Sequence, residues 1–121
     1  MSLPAVRAQI LAALGVYLPT ARVQVQERRA VLLEIRAQLE DALFFDVYYN
    51  ELTGKMAYTL VHNGQRIFGY DNYRFWHCHP YGQPTEHVAC EAPEIDTVLA
   101  QACAALDTLK SSGAEGSHGA G

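Results

Sequence analysis

Apolar and polar residues alternate through the central part of the chain, which runs VLLEIRAQLE at 31–40 and LFFDVYYN at 43–50. In each stretch an apolar side chain occupies every second position. A period of two places those side chains on one face of a strand and the remaining ones on the opposite, more solvent-exposed face. The two stretches therefore predict adjacent strands joined by a turn at Glu40-Asp41.

Turn residues separate two more apolar stretches, MAYTLVHN at 56–63 and QRIFGYD at 65–71. Gly54 can take the positive φ that a tight turn before the first of them requires. Asn63-Gly64 is the dipeptide most typical of a two-residue hairpin. These stretches predict an antiparallel meander of four to five strands, preceded by a short extended piece at 22–26.

Helical spacing of apolar residues marks both ends of the chain. Ser2 can cap a helix that has Pro4 in its first turn and is stopped by Pro19. Its apolar stripe consists of Leu3, Val6, Ile10, Leu14, Tyr17 and Leu18. A second helix opens at Pro93 and ends at Lys110. Its stripe consists of Ile95, Val98, Leu99, Ala102, Leu106 and Leu109. The whole pattern predicts an α+β fold in which terminal helices cover one face of an antiparallel sheet.

The chain has 121 residues, half of them hydrophobic, which is enough for one domain and one core. We expect a single α+β domain over 1–110 and a disordered Gly/Ser/Ala-rich tail over 111–121. A formal net charge of −4 gives no global reason to expect nucleic-acid binding. Residues 1–30 nevertheless carry four arginines and one glutamate, a balance of +3, which is typical of solvated arginines or of a contact with an acidic partner.

The N-terminal apolar segment is interrupted by Arg7, Gln9 and Gly15 and has no charged leader. It is also too short to span a bilayer. The three cysteines show no spacing typical of a secreted disulfide framework. We therefore expect a reduced, cytoplasmic protein without membrane attachment.

Residues 68–90, FGYDNYRFWHCHPYGQPTEHVAC, concentrate the candidate chemistry of the chain. Histidine exchanges protons near neutral pH, so His79 and His87, with His77 beside them, are candidates for acid–base catalysis. In-line cleavage of RNA needs such a pair and a cation at the phosphate, a role that suits the guanidinium of Arg74. Asp71 is a candidate for orienting a histidine through its ring N–H. The aromatic residues that would stack on RNA bases are Tyr73, Trp76 and Tyr81.

Two other interpretations fit the same segment. Imidazole and thiolate are ligands that zinc prefers, so His77, His79, His87 and Cys90 form a candidate metal set, although no recognised zinc-finger spacing is present. Alternatively, the aromatic side chains anchor a long loop in which the histidines are satisfied polar groups. In extended backbone His77 and His79 share one side and Cys78 points to the other.

The segment from about Val31 onward resembles the TumE family, small proteins classed as toxin components of toxin–antitoxin pairs. The most specific part of the resemblance is Tyr70-Asp71-Asn72 at a strand end, followed after fifteen residues by His87-Val88. The matching stretches are LLEIRAQLED, LFFDVYYN, KMAYTLVHN, RIFGYDN, HCHPYGQPTEHV and EIDTVLAQACAAL. The family's paired histidines are here split by Cys78, and the insertion Tyr73–Trp76 departs from the pattern. The residues carried over as site candidates are Tyr70, Asp71, Asn72, His79 and His87.

The resemblance implies a toxin that acts on RNA and is inhibited by an antitoxin protein. The leading hypothesis is a metal-independent RNA-cleaving enzyme that needs no cofactor, in which Tyr70 and Asn72 join the aromatic residues as substrate contacts. One alternative is a protein-binding module that uses the sheet face without catalysis. The other is a small zinc-stabilised domain, which would lose stability when a chelator is added.

Overall fold

The computed structural model describes residues 1–83, 85, 86 and 88–120, with side chains as far as residue 112. Two helices flank a run of strands in the chain. The elements are α1 (Leu3–Tyr17), β1 (Arg22–Arg28), β2 (Leu32–Glu40), β3 (Leu43–Asn50), β4 (Met56–His62), β5 (Gln65–Asp71), β6 (His77–His79), β7 (Val88–Ala89) and α2 (Ile95–Ala120). The predicted α+β class, with a helix at each end of an antiparallel sheet, is confirmed.

The strands form one sheet in sequence order, and each pairs antiparallel with the next. The predicted count of four to five strands is wrong, because the sheet has seven. The extended piece at 22–26 is part of β1, which pairs with β2 along its whole length although its residues are exposed. β6 and β7 span three and two residues, too few for a period of two to be visible in the sequence.

The alternation predicted for the central strands separates a buried face from an open one. Leu33, Ile35 and Ala37 of β2 and Leu43, Phe45, Val47 and Tyr49 of β3 are buried. They form one core with the apolar stripes of α1 and α2. The two helices contact each other, and they contact the sheet at β2 and β5. Both helices therefore lie on one face of the sheet, and the opposite face carries Glu34, Arg36, Asp46 and Tyr48.

The ends of the helices and the central hairpin follow the local signals of the sequence. The Ser2 hydroxyl accepts the Ala5 N–H at 3.3 Å, and Pro4 lies in the first turn of α1. Asn63 and Gly64 have φ of 53° and 77°, the two positive values that a type I′ hairpin turn requires. α2 begins at Ile95 and continues past Lys110 to Ala120. The disorder expected over 111–121 stays a prediction.

Candidate active site

The candidate site lies where β5 ends and β6 begins. In the ladder between these strands Asp71 is opposite His77, and Gly69 is opposite His79. Residues that face each other across a ladder project to the same side of the sheet, and side chains two apart on one strand share a face. Asp71, His77 and His79 therefore gather on the open face, as their alternation with Cys78 predicts.

The imidazole of His79 is held at both ring nitrogens. Its Nε2 lies 2.7 Å from Oδ2 of Asp71, and its Nδ1 lies 3.1 Å from the backbone carbonyl oxygen of Glu86. Both partners are oxygen acceptors, and the ring presents one nitrogen to each of them. His79 is only 1% exposed, the single charged or polar residue among the buried ones of the described chain. This ring connects the backbone at Glu86 to the end of β5.

Asp71 joins the two histidines. Its Oδ1 accepts the Tyr73 N–H at 3.2 Å and lies 3.7 Å from Nδ1 of His77. Burial raises the pKa of this carboxyl, but the hydrogen bonds from His79 and Tyr73 and the two nearby imidazoles outweigh it, so the pKa lies below its usual range. Asp71 is therefore a carboxylate at neutral pH, able to orient both rings and to stabilise their cationic forms.

His77 differs from His79 in its access to solvent. The exposed fraction of its side chain is 13%, against 1% for His79. Its ring packs against Phe75 with centroids 4.1 Å apart, and Phe75 is itself 57% exposed. His77 is thus the imidazole of the pair that lies nearer to the surface, and a ligand on the open face would meet it first.

Two cations and two aromatic rings contact one another near the end of β5, where the Tyr73 N–H meets Asp71. Nζ of Lys55 lies 5.6 Å from the ring centroid of Tyr48 and 6.0 Å from that of Tyr73. The Arg74 guanidinium lies 5.6 Å from the Tyr73 ring, and Tyr73 is 61% exposed. Such contacts hold the cations near aromatic faces without neutralising them. We call Tyr48, Lys55, Tyr73 and Arg74 the cation–aromatic cluster.

Three of the aromatic candidates lie on the helix side of the sheet, away from the histidines. The Tyr70 hydroxyl donates to Oε1 of Gln101 in α2 at 2.6 Å, and burial raises its pKa. Trp76 stacks on the buried Tyr58 ring with centroids 6.4 Å apart. Tyr81 lines a cavity of about 380 Å³ against α2. Their positions favour roles in packing the loop on the helix side.

The side chain of Asn72 serves the neighbouring turn. Its Oδ1 accepts the Met56 N–H at 2.8 Å, and its Nδ2 donates to the Gly54 carbonyl at 2.9 Å. Both ends of the amide thus close the β3–β4 turn against the end of β5. The candidate role of Asn72 in substrate binding stays a prediction, and its place next to Asp71 couples the turn to the site.

The three members of the candidate zinc set that the structure describes, His77, His79 and Cys90, are not gathered in one place. Cys90 donates its N–H to the Trp76 carbonyl, and its thiol contacts that of Cys78 on the helix side of the sheet. His77 and His79 lie on the other face. His87, a candidate acid or base as well as a candidate ligand, falls outside the described residues. Among those described, no three His, Cys, Asp or Glu side chains form a metal-binding group.

Two features of the site were not found from sequence. Tyr48 lies half-buried on the open face, whereas Tyr49 and Tyr58 are buried. Its strand position, one residue from Tyr49, is the signal that would have placed it there. The Glu86 carbonyl had no signal, because any residue supplies the same backbone oxygen.

Comparison of the chain with protein-family models, curated proteins and solved structures gave no match. Across the described residues, neither helix combines the length and the apolar character that a membrane crossing requires. The chain's own residues offer a carboxylate, Asp71, that hydrogen-bonds one imidazole and lies 3.7 Å from a second on the open face of the sheet.

Proposed function

We propose that this protein is an RNA-cleaving toxin of the TumE type, restrained in the cell by an antitoxin protein. The observation that supports the proposal most directly is the contact of Asp71 with both His77 and His79, beside the cation–aromatic cluster. Imidazoles held by a carboxylate are suited to proton transfer, and neighbouring cations are suited to phosphate.

The reaction that fits these groups is attack of a ribose 2′-hydroxyl on the adjacent phosphorus. A base removes the 2′-hydroxyl proton as the O2′–P bond forms. The P–O5′ bond breaks, and an acid gives a proton to the departing O5′. The products are a 2′,3′-cyclic phosphate and a free 5′-hydroxyl, and no oxidant or co-reactant is consumed. The enzyme must supply one base, one acid and positive charge at the phosphate.

We assign one of the two proton-transfer roles to His77 and the other to His87. His77 is the more exposed imidazole and lies 3.7 Å from the Asp71 carboxylate. His87 is assigned from its residue type and from the family resemblance. His79, first considered as an acid or base, has Asp71 and the Glu86 carbonyl at its two nitrogens and acts as a positioning residue. Lys55 and Arg74 are the cations for the phosphate.

The decisive test is the cleavage of single-stranded RNA labelled at its 5′ end. Replacing His77 by Ala should lower kcat/KM by about 10²–10⁴-fold, the usual contribution of a general acid or base. The matched control is His62→Ala, because His62 lies at the far end of β4 and should leave the rate unchanged. A single 2′-deoxy nucleotide at the cleavage position should block the reaction. Equal rates for wild type and His77→Ala would refute the assignment.

Toxicity requires a separate measurement in growing bacteria. Tight induction of the wild-type protein should arrest growth, whereas the His77→Ala/His79→Ala/His87→Ala variant at the same soluble level should not. Arrest by both proteins would mean that the histidines are not the source of toxicity. Normal growth with wild-type protein would leave RNA cleavage to be judged on the purified enzyme and would contradict the toxin proposal.

One observation favours the alternative of a non-catalytic binding module. β1 is an edge strand, and all seven of its residues, Arg22–Arg28, are exposed. An exposed edge presents unpaired backbone groups to which an extended segment of a partner can add as a further strand. If the antitoxin binds there, amides of β1 should become protected from hydrogen exchange in the complex, whether or not RNA is cleaved.

A further inference from the structure

The open face of the sheet contains a groove that the cleavage chemistry does not use. Its volume is about 820 Å³, and it extends over β1 to β4. Side chains at its floor and walls include Gln24, Gln26, Glu34, Tyr48 and Thr59. A cavity of this size is within the range of ligand sites in proteins.

The groove and the candidate active site lie along one row of the sheet. Tyr48 is opposite Ala57, Ala57 is opposite Asp71, and Asp71 is opposite His77. Neighbouring strands lie about 4.8 Å apart, so Tyr48 and His77 are separated by about 14 Å along this row. Ala57, the smallest side chain of the row, lies between Tyr48 and Asp71 and lines the end of the groove that is nearer to the site.

The charges in the groove are balanced locally. The Asp46 carboxylate accepts two hydrogen bonds from the Arg36 guanidinium, each of 2.8 Å. The Glu34 carboxylate lies 3.9 Å from the Arg28 guanidinium. Each of the two carboxylates is thus paired with an arginine. Neither charge repulsion nor a large excess of positive charge therefore determines which ligand binds in the groove.

The remaining lining offers uncharged hydrogen-bonding groups and one aromatic face. Gln24 and Gln26 are exposed on β1, and each amide has two donors and an acceptor. Thr59 adds a hydroxyl, and the Tyr48 ring is half-buried beside the cation of Lys55. Amides that meet the edges of bases, with an aromatic ring for stacking and a cation for phosphate, are the features by which proteins hold single-stranded RNA.

We propose that this groove binds the bases of single-stranded RNA next to the scissile nucleotide, with a base stacked on Tyr48 and base edges bonded to Gln24 and Gln26. The inference rests on the proposed function, since it names the substrate site of the same enzyme. It extends the substrate contact from the histidines across four strands to the β1 edge, and it makes unpaired bases the feature that is recognised.

The test measures binding separately from cleavage. The probe is a fluorescent single-stranded oligoribonucleotide in which every 2′-hydroxyl is replaced by a methoxy group, so that it cannot be cleaved. Its Kd is measured by anisotropy at fixed salt, because phosphate contacts make such affinities salt-dependent. Tyr48→Ala should weaken binding by about 5- to 150-fold, the range for loss of one stacked base. Tyr48→Phe, which keeps the ring, should stay within about twofold.

A second pair of variants covers the case that Tyr48→Ala disturbs the sheet. Gln24→Ala/Gln26→Ala changes only exposed side chains of an edge strand and should weaken binding by about 3- to 30-fold. Gln9→Ala, on the exposed side of α1, is the matched control and should bind as wild type does. A duplex of the same sequence should bind more weakly than the single strand, because its bases are already stacked and paired.

The outcomes separate this inference from the proposed function. If wild-type protein cleaves RNA while the Tyr48 and glutamine variants bind the probe like wild type, the groove assignment is wrong and the catalytic proposal is unaffected. If the probe binds in the groove but RNA is never cleaved, the groove assignment stands and the catalytic proposal is wrong. Absence of probe binding by wild-type protein overturns the groove assignment, as would binding of an extended peptide there instead.

Discussion

Replacing His79 by alanine should destabilise the protein while leaving its surface almost unchanged. The side chain is 1% exposed and connects the end of β5 to the segment before β7. The substitution removes the hydrogen bond to the Asp71 carboxylate and the one to the Glu86 carbonyl. It also leaves a space that the neighbouring backbone can fill only in part.

The expected loss of stability follows from the two lost hydrogen bonds and the space left behind. A hydrogen bond to a charged group contributes about 1.5–3 kcal/mol, and one between neutral groups about 1 kcal/mol. The exposed fraction of the Asp71 side chain is 22%, so water can replace part of the lost bond to that carboxylate. Adding the cavity term and subtracting this rehydration gives a loss of about 2–4 kcal/mol. That is a large share of the stability of a single domain, which is about 5–15 kcal/mol.

Equilibrium urea unfolding at pH 7 measures this loss. With an m-value of about 2 kcal/mol/M, the middle of the range for small domains, the midpoint should fall by about 1–2 M. His62→Ala, at the end of β4 next to the hairpin turn, should shift the free energy of unfolding by no more than about 0.5 kcal/mol. A loss below about 1 kcal/mol for His79→Ala, with an unchanged m-value, would refute the idea that this imidazole holds the site together.

The pH dependence of the free energy of unfolding gives an independent check of the contact between His79 and Asp71. The pKa of Asp71 is lower in the folded protein than its usual value, so this carboxyl contributes stability above the pKa of the unfolded chain. That stability is lost as the pH falls through the lower, folded pKa. The difference in unfolding free energy between wild type and His79→Ala should therefore shrink in acid. A difference that stayed constant down to strongly acidic pH would mean that the Asp71 charge is not involved.

Two further predictions concern β4 and β5. Gly69→Ala should lower the free energy of unfolding in urea by about 1–3 kcal/mol, because a Cβ there would lie 2.5 Å from the Tyr58 carbonyl oxygen. Gly15→Ala is the matched control, because a Cβ in that exposed part of α1 meets nothing and should stabilise the helix by about 0.5–1 kcal/mol. Equal effects of the two changes would contradict the close approach of β4 and β5. Burial raises the pKa of Tyr58 to about 12, so the free energy of unfolding should fall as the pH rises above 10.0, where the unfolded phenol ionises. Absorbance titration should show a phenolate step near 12 that Tyr58→Phe removes.

The central strands and the helix ends could be predicted because their causes are local. β3 has the predicted bounds, Leu43–Asn50, since its alternation runs over eight residues without interruption. The N-terminal end of α1 follows from Ser2 and Pro4, whose effects act within one turn. β6 and β7 could not be predicted, because strands of three and two residues are held by the ladder of β5 rather than by their own pattern.

The residue types at the site could be predicted from the sequence, but the role of each residue could be predicted only in part. Alternation placed His77 and His79 on one side, and the strand-end position of Asp71 made it a candidate to orient a histidine. Which imidazole would be buried depended on the Glu86 carbonyl, a backbone group brought back by the chain after residue 80. The helix-side positions of Trp76 and Tyr81 likewise depended on Tyr58 and on α2.

By itself, the sequence determined the fold class, the order of the central strands and the residue types available at the site. Periodicity, capping and turn preference act over a few residues, and each is written in the chain. Only the tertiary structure decided that the described residues form seven strands, that Asp71 contacts both His77 and His79, and that His79 rather than His77 is enclosed. Those outcomes depend on backbone pairing and on the covering of one sheet face by helices, which are contacts between segments distant in the chain.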